Sequence, residues 1–200
     1  MRPVRSFLLA AAALLGAAAE AQIRPVTPAD WRDVHFDRKR QMLTVLTGWG
    51  AANVVVGGTG ALLSDDTQWR QFHLMNAGWG LVNAALGGFG LRSAHRDARA
   101  GLSLDDAYAD LQRTERILLF NAGLDVAYMV GGAYLIQRAD RPSGEQPERD
   151  RGWGRAVVLQ GAGLFLFDLL AFRHLHKSQV GITPLLTARG AAVGLTVPID

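Results

Sequence analysis

The chain has 200 residues, 49% of them hydrophobic, with 21 basic against 18 acidic side chains and a formal net charge of +3. It contains no cysteine, which excludes disulfides, cysteine zinc sites, iron–sulfur clusters and a thiol nucleophile. The arginines are spread over several loops with no basic stripe interleaved with aromatics, so nucleic acid is not an expected partner and the charges read as flanks of membrane helices.

The chain opens MRPVRSFLLAAAALLGAAAEAQ. Arg2 and Arg5 form a basic start, and Phe7 to Ala19 form an apolar run, short for a bilayer span of about 20 residues. Ala19-Glu20-Ala21 offers a small-x-small cleavage site, so residues 1–21 read as a signal peptide. What remains divides into a membrane domain at 22–177 and a C-terminal tail at 178–200. Thr27-Pro28-Ala29-Asp30 is a helix-start signal, and Trp31 after it is expected at the membrane interface.

Four apolar stretches follow, at about 41–64, 71–91, 117–137 and 156–172. The first two carry no charge; the third is interrupted only by Asp125 and the fourth only by Asp168. Each matches the hydrocarbon thickness, and none shows the charged stripe of a soluble amphipathic helix. The expected fold is all-α: an integral membrane four-helix bundle with short amphipathic helices on the membrane surface and, as one reading of the tail, a small C-terminal hairpin. The connectors are a tight turn at Ser64-Asp65-Asp66-Thr67, a loop holding the capping-box-like Ser103-Leu104-Asp105-Asp106, and a proline- and charge-rich loop from Arg138 to Gly154. Leu104, Tyr108 and Leu111 fall at i, i+4, i+7 and predict an interfacial helix. In the tail, Ala191, Val193, Leu195 and Val197 alternate after a turn signal at Arg189-Gly190; an extended tail touching the bundle mouth or a partner is the other reading.

GWGAANVVVGGTG at 48–60 returns as GWGLVNAALGGFG at 78–90. On helices, Gly50, Asn53, Gly57 and Gly60 share one face, as do Gly80, Asn83, Gly87 and Gly90. In lipid, close backbone approach and interhelical hydrogen bonds hold helices together. The repeat therefore codes two antiparallel helices meeting on small faces. It is not a nucleotide loop, since no strand precedes it and no Gly-Lys-Ser/Thr follows. Asn76 is echoed by Asn121, which shares a face with Asp125, Tyr128 and Gly132; Gln160 and Asp168 line up in the fourth stretch. The expectation is a polar seam inside the bundle, with Asp125 and Asp168 at similar depth. A carboxylate at mid-membrane is costly by about 3 kcal/mol or more, so the pair is expected to be protonated or hydrogen-bonded.

No catalytic residue, cofactor or metal site is expected. His73 lies on the opposite side from His174 and His176, which precludes a pair of axial haem ligands. His35, His95, His174 and His176 share a side but not a coordinating spacing. The leading functional expectation is a structural or interaction role in a bacterial envelope assembly; the alternative is a small solute or proton-coupled carrier using Asp125 and Asp168. The expected partners are the lipid bilayer and a protein partner or second copy. The signal peptide puts the mature N-terminus in the periplasm of an inner-membrane protein, which leaves most loop arginines outside, against the positive-inside rule.

NAGLDVAYMVGG at 121–132 and LQGAGLFLFDL at 159–169, with the Gly-Trp-Gly segments before them, resemble a family of small four-helix bacterial membrane proteins of unknown function. The resemblance covers most of the mature chain. It implies the fold and brings no activity or functional residue with it.

Overall fold

The structure is a computed structural model that describes residues 28–141, 146–177, 181–187 and 190–196. The expected signal peptide, the Thr27 cap, the middle of the third connector and Val197 lie outside these residues. Four long helices run in chain order, α1 Pro28–Leu63, α2 Thr67–Arg99, α3 Leu104–Ala139 and α4 Pro147–His176. A hairpin follows, β1 Gly181–Thr187 antiparallel to β2 Gly190–Thr196, with Thr187 opposite Gly190 at its closed end.

Local chemistry sets the helix ends. The Asp66 side chain accepts from the Trp69 N–H at the start of α2, and Ser103 accepts from the Asp106 N–H at the start of α3, satisfying donors that the first turn leaves open. The Asp106 carboxylate accepts a hydrogen bond from the Ser103 hydroxyl and thereby fastens the cap side chain. Gly101 supplies the left-handed residue (φ 61°) that the short α2–α3 turn needs. Pro147 opens α4 in the first turn, with Glu148 and Asp150 beside the helix N-terminus, where negative charge is favoured.

Two expectations about the ends are corrected. The surface helices at Trp31 and Leu104 are not separate: they are the first turns of α1 and α3, each 36 residues long. No glycine or proline interrupts 31–42 or 105–117, so the helical ladder runs on. At 1.5 Å per residue such a helix is about 54 Å long, well beyond a hydrocarbon core of about 30 Å. Trp31 is only 2% exposed, stacked on His35 and beside Tyr108, so it packs inside the bundle. The Arg138–Gly154 loop is also shorter than expected, because α3 continues to Ala139 and α4 begins at Pro147.

Three helices, α1, α3 and α4, are long and apolar enough to cross a membrane. Their outward faces carry bare apolar side chains such as Leu62, Val55, Phe120 and Val130. α2 falls short of the fourth expected span because Gln71, His73, Asn76 and Asn83 lower its hydropathy. It nevertheless lies against both α1 and α4, and the polar residues Asn76 and Asn83 are turned inward.

The repeat explains the α1–α2 contact. A methyl group added at Gly57 would sit 2.7 Å from the His73 carbonyl oxygen, and one at Gly80 2.6 Å from the Gly50 carbonyl oxygen. Gly50 and Gly87 meet the Ala84 and Thr47 backbones in the same way. Gly60 faces the His73 ring and Gly90 the Leu43 side chain. The α3–α4 hairpin uses the same device, with Gly132 and Gly154 each against the other's carbonyl oxygen. The two hairpins join chiefly through α2 against α4.

Candidate functional site: an intramembrane polar seam

Side chains of the seam fall into two groups. The first is a closed junction between α1, α2 and α4. Gln160, wholly buried, donates through Nε2 to Asn53 Oδ1 at 2.7 Å and to Asn76 Oδ1 at 2.6 Å. Its Oε1 accepts from the Trp49 indole N–H at 3.2 Å. Asn53 and Asn76 spend an amide proton on their own helices, at Trp49 O and Phe72 O. A side-chain amide has two donors and one carbonyl acceptor, and here those of Gln160 are all used.

The second group surrounds a cavity of about 180 Å³ between α2, α3 and α4, lined by Asn83, Asn121, Asp125, Tyr128 and Asp168 together with apolar side chains. The carboxyl groups of Asp125 and Asp168, both buried, lie within hydrogen-bonding reach of each other. A hydrogen bond between two carboxyl groups needs a proton as its donor. Two buried atoms of this lining have no partner: Asn83 Nδ2, a donor, and Asp125 Oδ2, an acceptor. Such groups are rare in folded proteins and call for an explanation. Trp79 closes one wall with its ring edge-to-face on Tyr128, centroids 5.0 Å apart.

The two asparagines of the repeat thus serve different groups. Antiparallel packing carries equivalent positions to opposite sides of the Gly50–Gly80 crossing, so Asn53 turns to Gln160 while Asn83 lines the cavity that holds the carboxyl groups. The second asparagine that accepts from Gln160 is Asn76, outside the repeated segment. Trp49 and Trp79 diverge in the same way, one donating to Gln160 and the other packing on Tyr128.

Outside the uncharged stretches are polar contacts that sequence reasoning missed. Lys39 Nζ lies 2.7 Å from both oxygens of Asp110, and His35 Nε2 lies 2.9 Å from Oδ2. Burial raises the Asp110 carboxyl, but these hydrogen bonds and charges outweigh it and hold the group below the ordinary carboxylate range. At the opposite end Asp150 is 2% exposed; the hydrogen bond from Arg138 is the chief reason that its carboxyl is held low, with Arg149 assisting against burial. The only sequence signal for these contacts was helical spacing near the helix ends. Among the described residues no three His, Asp or Glu side chains gather as a metal site. His95 bonds to its own helix, His174 to Gln41 and His176 to Glu115.

No curated protein and no solved structure matches the chain. One family model does, over residues 45–169, a segment that begins inside α1, ends inside α4 and contains both polar groups entire. The chain belongs to that family, a family of unknown function (DUF6992).

Proposed function

We propose that the chain is a small carrier of a bacterial inner membrane, moving a proton or a small solute through exchange at Asp125 and Asp168. The observation that supports this most is the pairing of a cavity with unmet hydrogen-bonding capacity: Asn83 Nδ2 and Asp125 Oδ2 are buried without partners on its wall. A water takes roughly 30 Å³ and needs two to four polar partners. The cavity's 180 Å³ suits several waters or one small polar solute, and its lining supplies donor and acceptor together. A structural network, by contrast, profits from complete internal satisfaction. With a cleaved signal peptide, the end holding the N-terminus of α1 and the C-terminus of α4 faces the periplasm.

A second reading, a structural or interaction role in an envelope assembly, is favoured by the Gln160 junction. That group is fully satisfied and ties three helices, which is what a register-fixing network requires.

The two readings divide on whether water reaches the acid pair. Infrared spectroscopy of the protein in lipid, exchanged from H2O into D2O, follows the C=O stretch of a protonated carboxyl group, identified by its loss in Asp125→Asn and Asp168→Asn. A downshift of the band within minutes supports the carrier. A band that stays unshifted until the protein is denatured marks a dry pair and hands the function to the structural reading.

A further inference from the structure

The cavity of about 180 Å³ beside the acid pair has a mouth as well as a lining. Although consecutive in the chain, α2 and α3 make no close backbone contact among the described residues. The cavity sits in the cleft between them, with Phe167 and Asp168 of α4 completing its lining. Val82 and Leu86 of α2 and Tyr128 of α3 line it and are also exposed on the outer surface, at 50, 60 and 36%. All three lie inside the uncharged stretches or beside their single acid, away from the helix ends. The mouth therefore opens sideways into hydrocarbon, and a ligand that uses it has to dissolve in lipid.

The chemistry inside selects further. Asp125 and Asp168 are both buried, and no Lys, Arg or His lines the cavity. Tyr128 is the one other titratable group on the lining. Net charge at this depth is costly, so the carboxyl pair is neutralised by two protons, or by one proton and one monovalent cation. An anion finds no counter-charge here, and a zwitterion brings a carboxylate that no base meets. Asp125 Oδ2 is an acceptor without a donor, and an ammonium N–H supplies donor and charge together. Trp79 and Tyr128 add aromatic rings, whose faces attract a cation, and Leu86, Leu124 and Leu164 add apolar wall. A cavity of about 150 Å³ accommodates benzene, so this one suits a body of about eight non-hydrogen atoms.

We infer that the cavity takes a lipid-soluble amine, a small hydrocarbon or aromatic body with one basic nitrogen, and holds it as the ammonium beside Asp125 and Asp168. This rests on the carrier reading and names its solute. In water the ammonium ion gives up one proton and enters the bilayer as the neutral amine. Inside the cavity the nitrogen lone pair takes a proton from one carboxyl group, breaking that O–H bond and forming an N–H bond. The new carboxylate faces the ammonium, the second carboxyl keeps its proton, and the seam stays neutral throughout. Each amine bound thus leaves one proton in the water.

The full chain in lipid nanodiscs, titrated with benzylamine near neutral pH in a weakly buffered medium and compared with empty nanodiscs, tests this. Calorimetry reads the affinity and an indicator dye reads the proton. About one proton is expected to appear per benzylamine bound. Benzyl alcohol, of the same size but without the basic nitrogen, should bind about tenfold more weakly and release none. Asp125→Asn with Asp168→Asn should abolish the release, and Leu86→Trp, which fills the mouth from an exposed position, should cut amine uptake. The comparison of the two ligands on the wild type stands even where a variant fails to fold. Benzylamine bound no better than benzyl alcohol, binding without proton release, release set off by sodium ion instead, or uptake unmoved by a folded Leu86→Trp would each overturn the amine. The infrared exchange keeps this separate from the carrier reading. A band that shifts in D2O beside any of those results removes the amine alone, and a band that stays unshifted in a protein that binds no amine removes both.

Discussion

The two halves of this bundle are built from different materials. Where α1 and α3 begin and α2 and α4 end, the interior is chiefly apolar: Leu111, Leu175, Ala94 and Ala107 are fully buried, joined by Trp31 and Phe36 around the one wholly buried histidine, His35. Through the uncharged stretches, glycines and polar side chains are prominent among the buried positions: Gly50, Gly57, Gly80, Gly87, Asn76, Asn83, Asp125, Gln160 and Asp168, beside a few apolar ones such as Leu118 and Leu164. In water, apolar area drives association. In lipid it does not, and backbone proximity with interhelical hydrogen bonds takes over. A single continuous helix such as α1 therefore changes its adhesive partway along, from Trp31 and Phe36 to Gly50 and Gly57, as its surroundings change.

The sharpest way to break this contrast is Gly80→Leu. Its first side-chain carbon would meet backbone atoms of α1 at 2.6–2.7 Å, which cannot move aside as a side chain can. The expected cost exceeds the usual overpacking penalty of about 1–3 kcal/mol, and the variant should not run as a monodisperse species on size exclusion in mild detergent. Gly78→Leu, where nothing lies within 4 Å, should elute like the wild type; equal disruption by both would remove the packing argument. A smaller effect is expected in the apolar half from Leu111→Ala, about 3 kcal/mol, read as a lower midpoint in chemical denaturation. A loss below about 1 kcal/mol would mean that this end does not rest on its apolar core.

The smallest effect concerns pH. Asp110 has its carboxyl held below 3.8 in the folded state. A depressed carboxyl stabilises the fold above the unfolded value, and that contribution disappears as pH falls through the lower folded value. Asp110→Asn should flatten the loss of thermal stability on acidification below pH 3.8 while Asp150, also depressed, keeps part of it. An unchanged acid limb would show that His35 and Lys39 add nothing through Asp110.

Much of the architecture was legible because lipid leaves a strong mark on sequence. Uncharged runs of span length located the helices, and the repeated glycine spacing located the face on which α1 meets α2. Asp125 and Asp168 were expected at one depth, and antiparallel connectivity brings them together. The division of the seam into two groups was not legible. It depends on which way each side chain turns about the Gly50–Gly80 crossing, and a one-dimensional repeat makes Asn53 and Asn83 look alike. The fate of Trp31 was also hidden: an aromatic near a membrane end has the same spacing whether it meets headgroups or a core. What decides is that α1 overshoots the bilayer, a property of its partners as much as of its own residues. The pairing of Asp150 with Arg138 escaped because a proline-rich segment looked like loop throughout.

Phe167 belongs to two linings, that of the inner cavity on one side and that of an outer groove between α1 and α4 on the other. A single ring is thus a party wall between an oily chamber and an acidic one. It cannot turn to enlarge one without encroaching on the other, so whatever fills the first changes the room available in the second. By reciprocity any such influence runs equally in both directions.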